Sequence, residues 1–373
     1  MTGEETGEGR GPGPGEGDGG GAGDDGGNRD RFAEAARDER PDLALMCLLI
    51  GVEAARAKTV THRAKDERAR RRLDGRDEHG NGRGDNGEDS DKGPEKDGGR
   101  EQDQAEDADR NEGKAQEDKD RGAGTAPHGH GDEQSLLEAE IELDRLAGLL
   151  PYSPSRTPEE WARALGRLLG TEHGFHGTPQ DYRRLESSLL QSVLRRRRGL
   201  PILLSVVWIE VARRAGAPVY GVGLPGHFVI GFGDPAGEHV LADPYNGGRL
   251  LSSGDLELLV AGATGVRRPL SASSLHPAGP VEIVLRILNN IRAWAATRPE
   301  QSGVQLLALD LSLLLPHRPA RLRYERAQLL VERGEFLDGA AALEEYASAI
   351  ETVEPSEAES VRSAARIARA RLN

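Results

Sequence analysis

An apolar, helix-length run followed by strand-like segments, within residues 195–251, most limits what this chain can fold into. Residues 202–212 are almost entirely apolar, and Pro201 stands at a first-turn position that tolerates proline. Gly216 ends this helix after two arginines, which suit the negative end of a helix dipole. Strand-like segments separated by turn residues follow. The stretch therefore predicts a buried helix that packs against antiparallel strands.

The predicted hairpin carries one histidine and one aspartate that are placed for mutual contact. Its turn residues centre near Pro235, so His227 and Asp243 lie at equal distances on either side. Facing residues of an antiparallel hairpin share one side of the sheet, with Cβ atoms about 5 Å apart. A carboxylate beside an imidazole fixes its tautomer and stabilises the protonated ring, as acid–base chemistry requires. Because such a pair also occurs as a structural hydrogen bond, both interpretations stay open.

Three motifs in this region resemble one branch of a known superfamily. They are RGLP at residues 198–201, GVGLPGHF at 221–228 and DPYNGG at 243–248. With the order of helix and strands, they resemble the SirB-type branch of the transglutaminase-like superfamily, over residues 41–57 and 135–346. The resemblance implies an α+β fold with a helical N-terminal region. It also implies a papain-like core, in which one helix packs on an antiparallel sheet, and C-terminal tetratricopeptide-like (TPR-like) α-hairpins.

The resemblance also assigns roles to residues, and one role has no matching residue. His227 and Asp243 match the family's catalytic histidine and aspartate. The family's cysteine lies near the start of the helix, where the helix dipole lowers a thiol pKa, and Pro201 occupies that position. The chain's one cysteine, Cys47, lies in an apolar helical segment, where an unreactive buried thiol is expected. Cysteine-type transglutaminase or protease activity is therefore not expected.

A different nucleophile would be needed for any covalent chemistry at this position. Ser205 lies one helical turn beyond Pro201 and is the candidate, provided that its hydroxyl reaches the histidine. A small serine that packs inside a helix is the simpler interpretation. A water molecule activated by His227 is the other possibility.

Three residues beside the motifs are candidates for binding a ligand: Arg198, Tyr245 and Asn246. The guanidinium of Arg198 suits a carboxylate or a phosphate. His173 and His176 have no acidic residues at a metal-binding spacing, so no metal and no cofactor are expected.

Two charged low-complexity tracts limit how much of the 373-residue chain forms a core. Residues 1–28 are mostly Gly, Glu and Asp, and residues 62–133 are dense in charged residues with few apolar ones. Neither buries enough apolar surface to offset chain entropy, so both are expected to be disordered. They hold about −6 and about −7 of the formal charge of −14. The folded part is then near neutral, which argues against a nucleic-acid partner.

The second tract is predicted to be an insertion between two helices of one domain. An amphipathic stripe over residues 135–150 is expected to cover the apolar helix that follows Pro41. Closing a loop of such length costs little free energy. The predicted regions are an acidic tail at 1–29, helices at 30–61, a disordered insertion at 62–134, further helices at 135–194, the transglutaminase-like core at 195–275 and TPR-like helices at 276–373.

Composition also bears on location and on function. One cysteine, no signal pattern and no membrane-length apolar run predict a cytoplasmic protein without a membrane partner. We expect a transglutaminase-like module that has lost its nucleophile and binds a protein or peptide. The alternatives are a hydrolase or acyl-transfer enzyme that uses His227 and Asp243 with a non-cysteine nucleophile, and a scaffold whose TPR-like helices bind partners.

Overall fold

The computed structural model describes residues 25–59, 128–151, 153, 155–267, 270, 272–316 and 320–371. Within these ranges the chain is mostly helical and forms one antiparallel sheet, so the predicted α+β class is confirmed. The assignment of disorder to most of the two charged tracts lies outside the described residues. None of the helices in the described ranges is long and apolar enough to cross a membrane.

Three helices from the first part of the chain contribute to the main hydrophobic core. Phe32, Leu48 and Leu143, one from each helix, are fully buried in the same cluster. An ion pair of 2.6 Å between Arg56 Nη2 and Asp132 Oδ2 joins the end of the second helix to the beginning of the third. The helices are α1 (Asp25–Arg37), α2 (residues 43–59) and α3 (His128–Gly148).

Two of these helices begin inside the tracts that were predicted to be disordered. α1 begins at Asp25, within the predicted tail 1–29, and α3 begins at His128, within the predicted insertion 62–134. Charged side chains at the start of α3 are paired, since Asp132 binds Arg56 and Glu133 binds Arg31. Ion pairs with α1 and α2 thus hold these charged residues at the start of α3.

The middle of the chain leads from α3 to the helix of the core through short helical elements. A capping box begins the first of them: Thr157 Oγ1 accepts from the Glu160 main-chain N–H, and Glu160 accepts from that of Thr157. The elements are α4 (Pro158–Leu165), a π-helix (Gly166–Glu172), two 3-10 turns (Pro179–Arg183 and Leu185–Ser188) and α5 (Leu190–Arg196).

The core consists of a buried helix on one face of the sheet and a shorter helix on the other. α6 (Pro201–Arg214) packs against β1 and β2, and its residues 201–212 are all buried. α7 (Ser253–Thr264) covers the opposite face with Leu256 and Val260. The strands lie in the order β4-β3-β2-β1-β5. They are β1 (Val219–Leu224), β2 (His227–Gly233), β3 (His239–Asp243), β4 (Arg249–Leu251) and β5 (Pro277–Ala278).

In the C-terminal part each helix packs against the next, forming the helical hairpins that the TPR-like pattern predicted. The first two helices bury Ile287, Ile291 and Leu307 in the main core cluster, whereas the last two form a cluster of their own around Ala340 and Val361. The first helices of this region thus belong to the same packed body as the sheet. They are α8 (Pro280–Ala296), α9 (Ser302–Leu314), α10 (Ala320–Glu332), α11 (Phe336–Ile350) and α12 (Pro355–Ala370).

Candidate functional site

His227 and Asp243 are in contact at one end of the sheet. His227 begins β2, Asp243 ends β3, and His227 Nε2 lies 3.0 Å from Asp243 Oδ1. The aspartate side chain is fully buried, and 10% of the histidine side chain is exposed. A carboxylate that contacts Nε2 fixes the orientation of the imidazole ring and leaves Nδ1 to contact a different group.

The strand register that brings this pair together differs from the predicted one. The observed pairing centres the hairpin turn near Ala236, one residue later than expected. Continued to its end, this register puts Asp243 opposite Val229 rather than opposite His227. The predicted direct cross-strand pairing is therefore wrong. The two residues are diagonal neighbours on one face, a separation of about 7–8 Å that long side chains bridge.

Main-chain and side-chain donors hold the buried carboxylate of Asp243. Oδ1 also accepts from the Tyr245 main-chain N–H at 3.0 Å, and Oδ2 accepts from Asn246 Nδ2 at 2.6 Å. The ring of Tyr245 meets the His227 ring edge-on, with centroids 5.8 Å apart. Burial raises the pKa of Tyr245 to about 12, with Tyr182 and nearby carboxylates adding to the effect. Tyr245 and Asn246, predicted as ligand-binding residues, thus position the His–Asp pair.

Glycines allow the turn after Asp243 to lie against the preceding helical elements. A Cβ atom on Gly170, in the π-helix, would overlap the carbonyl oxygen of Gly247. A Cβ atom on Gly177 would overlap the Tyr245 ring, and the Gly177 N–H donates to the Tyr245 carbonyl at 2.9 Å. Gly248 itself has a φ of 84°, which favours glycine. The two glycines that end the DPYNGG motif therefore serve close packing and backbone conformation.

A cleft of about 190 Å³ opens beside His227. Its walls come from the start of α6, the turn between β1 and β2, the 3-10 turn that carries Tyr182, and α8. Sequence reasoning missed the residues of α8, which are distant along the chain; the available signal was the polar pair Asn289-Asn290 in an apolar helix. The cleft is lined by Tyr182, Leu200, Pro201, Ile202, Leu224, Gly226, His227, Phe228, Arg286, Asn289 and Asn290.

Pro201 lies in the wall of this cleft as the first residue of α6. The position that the resemblance gives to a nucleophile is thus occupied by a ring without a reactive atom, in the same cleft as His227. Cys47 lies elsewhere, in α2, with 2% of its surface exposed. Burial raises the pKa of its thiol, and the negative charges of Glu210 and Asp42 raise it further. Such a thiol is not activated for nucleophilic attack.

Ser205 faces β2 from inside α6. It is fully buried, and its hydroxyl lies 3.4 Å from the carbonyl oxygen of Phe228, to which it donates. It is not one of the residues that line the cleft within the described part of the chain. This geometry is that of a serine that packs a helix against a strand.

The basic run before α6 makes contacts inside the protein. Arg198 Nη1 lies 2.5 Å from His176 Nε2, whose other ring nitrogen binds the Gly174 carbonyl at 2.8 Å. Arg197, in a left-handed conformation with a φ of 58°, forms an ion pair of 2.5 Å with Glu142. Arg198, predicted as a ligand-binding residue, is outside the lining of the His227 cleft.

The loop histidines His173 and His176 do not form part of a metal-binding cluster within the described residues. Among the described residues, no three His, Cys, Asp or Glu side chains converge as they would around a metal ion. His176 is held by Arg198. The pKa of His173 is lowered by burial and by the positive charges of Arg197 and Arg145.

Residues 137–289 match the family model described as the transglutaminase-like superfamily. The matched region begins in α3 and ends in α8. It therefore contains the sheet, α6, the His–Asp pair and most of the cleft wall, and it leaves out α9 to α12.

Curated proteins with similar sequences include bacterial and mammalian ones. A UPF0162 protein of Xylella fastidiosa is 36% identical over 164 residues, which cover 43% of this chain and 58% of that protein. A UPF0162 protein of Pseudomonas aeruginosa is 36% identical over 152 residues, covering 40% of this chain and 55% of that protein. F-box only protein 21 of Mus musculus is 23% identical over 167 residues, 43% of this chain and 26% of that protein. The alignments thus span little more than half the length of the UPF0162 proteins.

Proposed function

Because residues 137–289 form a domain of the transglutaminase-like superfamily, we propose that this protein is a binding module that keeps the His–Asp cleft without cysteine chemistry. One observation carries the proposal: Pro201 begins α6 in the wall of the cleft that holds His227. Proline supplies no group that attacks a carbonyl. The thiol of Cys47, the chain's one cysteine, is buried in α2 and has a raised pKa.

The hydrogen bonds that satisfy the buried carboxylate of Asp243 support a ligand-binding role for the cleft. A buried carboxylate is costly unless donors satisfy it. Here His227, the Tyr245 main chain and Asn246 all bind it. The histidine ring is thereby held in one orientation at the edge of the cleft, as a group that contacts a ligand must be.

The size of the cleft supports a protein or peptide as the ligand. Its volume of about 190 Å³ is below the range of about 300–1,000 Å³ that is usual for small-molecule sites. It suits one side chain or one chain end of a larger partner. The neighbouring surface of α8, which carries the half-exposed Asn289 and exposed Asn290, would contact the rest of the partner.

The test is a peptide-display selection on the full-length protein, with two tryptophan variants of α8. Asn290→Trp covers the cleft, because Asn290 is exposed and lines it; Ala293→Trp is the matched control, since Ala293 is exposed outside the lining. We expect selected peptides to bind the wild type and the Ala293→Trp variant, and to lose at least about tenfold in affinity, about 1.4 kcal/mol, for Asn290→Trp. Peptides that bind all three proteins equally would move the binding function to another surface, such as the TPR-like helices.

A second candidate function follows from the ring nitrogen of His227 that does not contact Asp243. With Nε2 on Asp243, Nδ1 of His227 remains available to take a proton from a water molecule or hydroxyl in the cleft. The selected peptides therefore serve as substrates too. Mass spectrometry after prolonged incubation is expected to show intact peptides. Cleavage that is lost in folded His227→Ala and Asp243→Ala variants would make the protein a hydrolase with a non-cysteine nucleophile.

A further inference from the structure

We propose that the cleft recognises a carboxylate of the bound peptide through the guanidinium of Arg286. The inference deepens the proposed function and rests on it. Arg286 comes from α8 and lines the cleft together with His227. The ligand carboxylate is either a chain terminus or the side chain of Asp or Glu.

The main chain of β1 fixes the position of the Arg286 guanidinium. A Cβ atom on Gly223 would lie 2.5 Å from Nη2 and 2.7 Å from Nη1, so the guanidinium rests on the strand where glycine leaves space. The next residue of β1, Leu224, pairs with His227. The glycine therefore leaves room for the Arg286 guanidinium next to the residue that pairs with His227.

The charge of Arg286 is only partly satisfied within the protein. Its Nε donates to Glu282 Oε1 at 3.3 Å, one helical turn earlier. In the described part of the chain, Glu282 is its ion-pair partner, neither terminal nitrogen donates a hydrogen bond, and 38% of the side chain is exposed. A guanidinium binds a carboxylate through two parallel N–H···O bonds. Glu282 and Gly223 orient the group beforehand, which reduces the entropy lost on binding.

The other polar groups of the cleft fit a peptide that carries such a carboxylate. Asn289 and Asn290 lie three and four residues after Arg286, and therefore on the same side of α8. Their amides donate and accept hydrogen bonds, as the peptide groups next to a carboxylate require. Tyr182 adds a hydroxyl from another wall, and burial raises its pKa, so it stays a neutral donor at physiological pH. The acidic groups nearby, Glu282 and Asp243, are already engaged.

The experiment uses the full-length protein labelled with ¹⁵N and four small probes. N-acetylglutamate N-methylamide carries a side-chain carboxylate, and N-acetylglutamine N-methylamide is its neutral match. N-acetylalanine carries a terminal carboxylate, and N-acetylalaninamide is its neutral match. NMR follows the Nε–H signal of Arg286, which is identified by its loss in Arg286→Gln, and the side-chain amide signals of Asn289 and Asn290.

We expect saturable shifts of these signals with at least one carboxylate probe, and at least about tenfold weaker binding of its neutral match. Arg286→Gln should abolish that preference, and Gly223→Ala should reduce it by displacing the guanidinium without removing it. Arg323→Gln, which removes an exposed arginine on α10, should leave it unchanged. The two carboxylate probes show which source of the carboxylate the cleft prefers.

Two results would overturn the inference, and each bears differently on the proposed function. Equal binding of charged and neutral probes, or a preference that survives Arg286→Gln, would remove carboxylate recognition. If Asn290→Trp still blocked the selected peptides, the cleft would remain a binding site of other specificity. If neither the probes nor the peptides depended on the cleft, both proposals would fail.

Discussion

At the residue scale, one cleft contains both a histidine that contacts a buried aspartate and a proline that begins a helix. The pair His227–Asp243 has the 3.0 Å contact and the buried carboxylate that acid–base histidines use. Pro201 provides a favourable first-turn residue for α6, since its missing N–H would have no partner there. The residue that suits the helix thus excludes attack from this position.

A thiol placed at this position should be activated by the same surroundings. We expect Pro201→Cys, in a Cys47→Ala background, to give a thiol with a pKa at least about one unit below the ordinary value of about 8.5, because the helix start and His227 both favour the thiolate. The rate of alkylation by iodoacetamide as a function of pH measures that pKa.

Two controls accompany this variant. Adding His227→Ala should move the thiol pKa back upwards, and Cys47→Ala alone should cost only packing energy, of the order of 1–2 kcal/mol. A pKa of about 8.5 or higher for the introduced thiol would contradict the alignment of Pro201 with the nucleophile position.

At the scale of elements, the end of the sheet that carries the His–Asp pair is held by the contact between the π-helix and the turn after β3. Gly170 and Gly247 approach so closely that no side chain fits between them. The turn carries the Tyr245 N–H and the Asn246 amide that bind Asp243. The position of Asp243 therefore depends on Gly170, which lies in the π-helix more than seventy residues earlier in the chain.

A methyl group at Gly170 should separate these elements. We expect Gly170→Ala to lower the free energy of unfolding by about 1–3 kcal/mol, as overpacking against rigid main chain does. Gly262→Ala is the matched control, because Gly262 lies within α7 with open space around its Cβ position. It should stabilise the protein by up to about 1 kcal/mol through helix propensity. Urea unfolding measures both; an unchanged stability for Gly170→Ala would refute the close contact.

At the scale of the whole molecule, one hydrophobic core connects parts of the chain that lie far apart in sequence. It contains side chains from α1 to α3, α6, the sheet, α8 and α9. Arg29 of α1 pairs with Asp310 of α9 at 3.4 Å, and Arg56 of α2 pairs with Asp132 of α3. The helices before residue 60 are thus integral to the domain that carries the cleft.

The folded unit should not need the charged tracts. We expect a protein that begins at residue 25, with residues 60–127 replaced by a short Gly/Ser linker, to unfold in one transition within about 1 kcal/mol of the full chain. The linker can be short because the Arg56–Asp132 ion pair brings the flanking helices together, and loop length has a small effect on stability. Urea unfolding followed by circular dichroism and tryptophan fluorescence tests this; a trimmed protein that fails to fold would refute the insertion model.

The sequence alone determined the local helices and strands and the residue types at the His–Asp site. Periodicity, caps and glycines identified α6, the hairpin and the C-terminal helices, because these signals act over a few residues. The sequence also identified His227, Asp243 and Pro201, the residue at the position that the resemblance gives to the family's cysteine. Ser205 as a nucleophile stays a prediction; within α6 its hydroxyl donates to the Phe228 carbonyl.

Tertiary structure decided what surrounds the His–Asp pair. The diagonal register depends on a single residue in a hairpin turn, which composition does not fix. Arg286, Asn289 and Asn290 reach the cleft because α8 packs back onto the core, a contact between segments some sixty residues apart. Local patterns carry no record of such a contact, since it arises only when distant apolar faces are buried together.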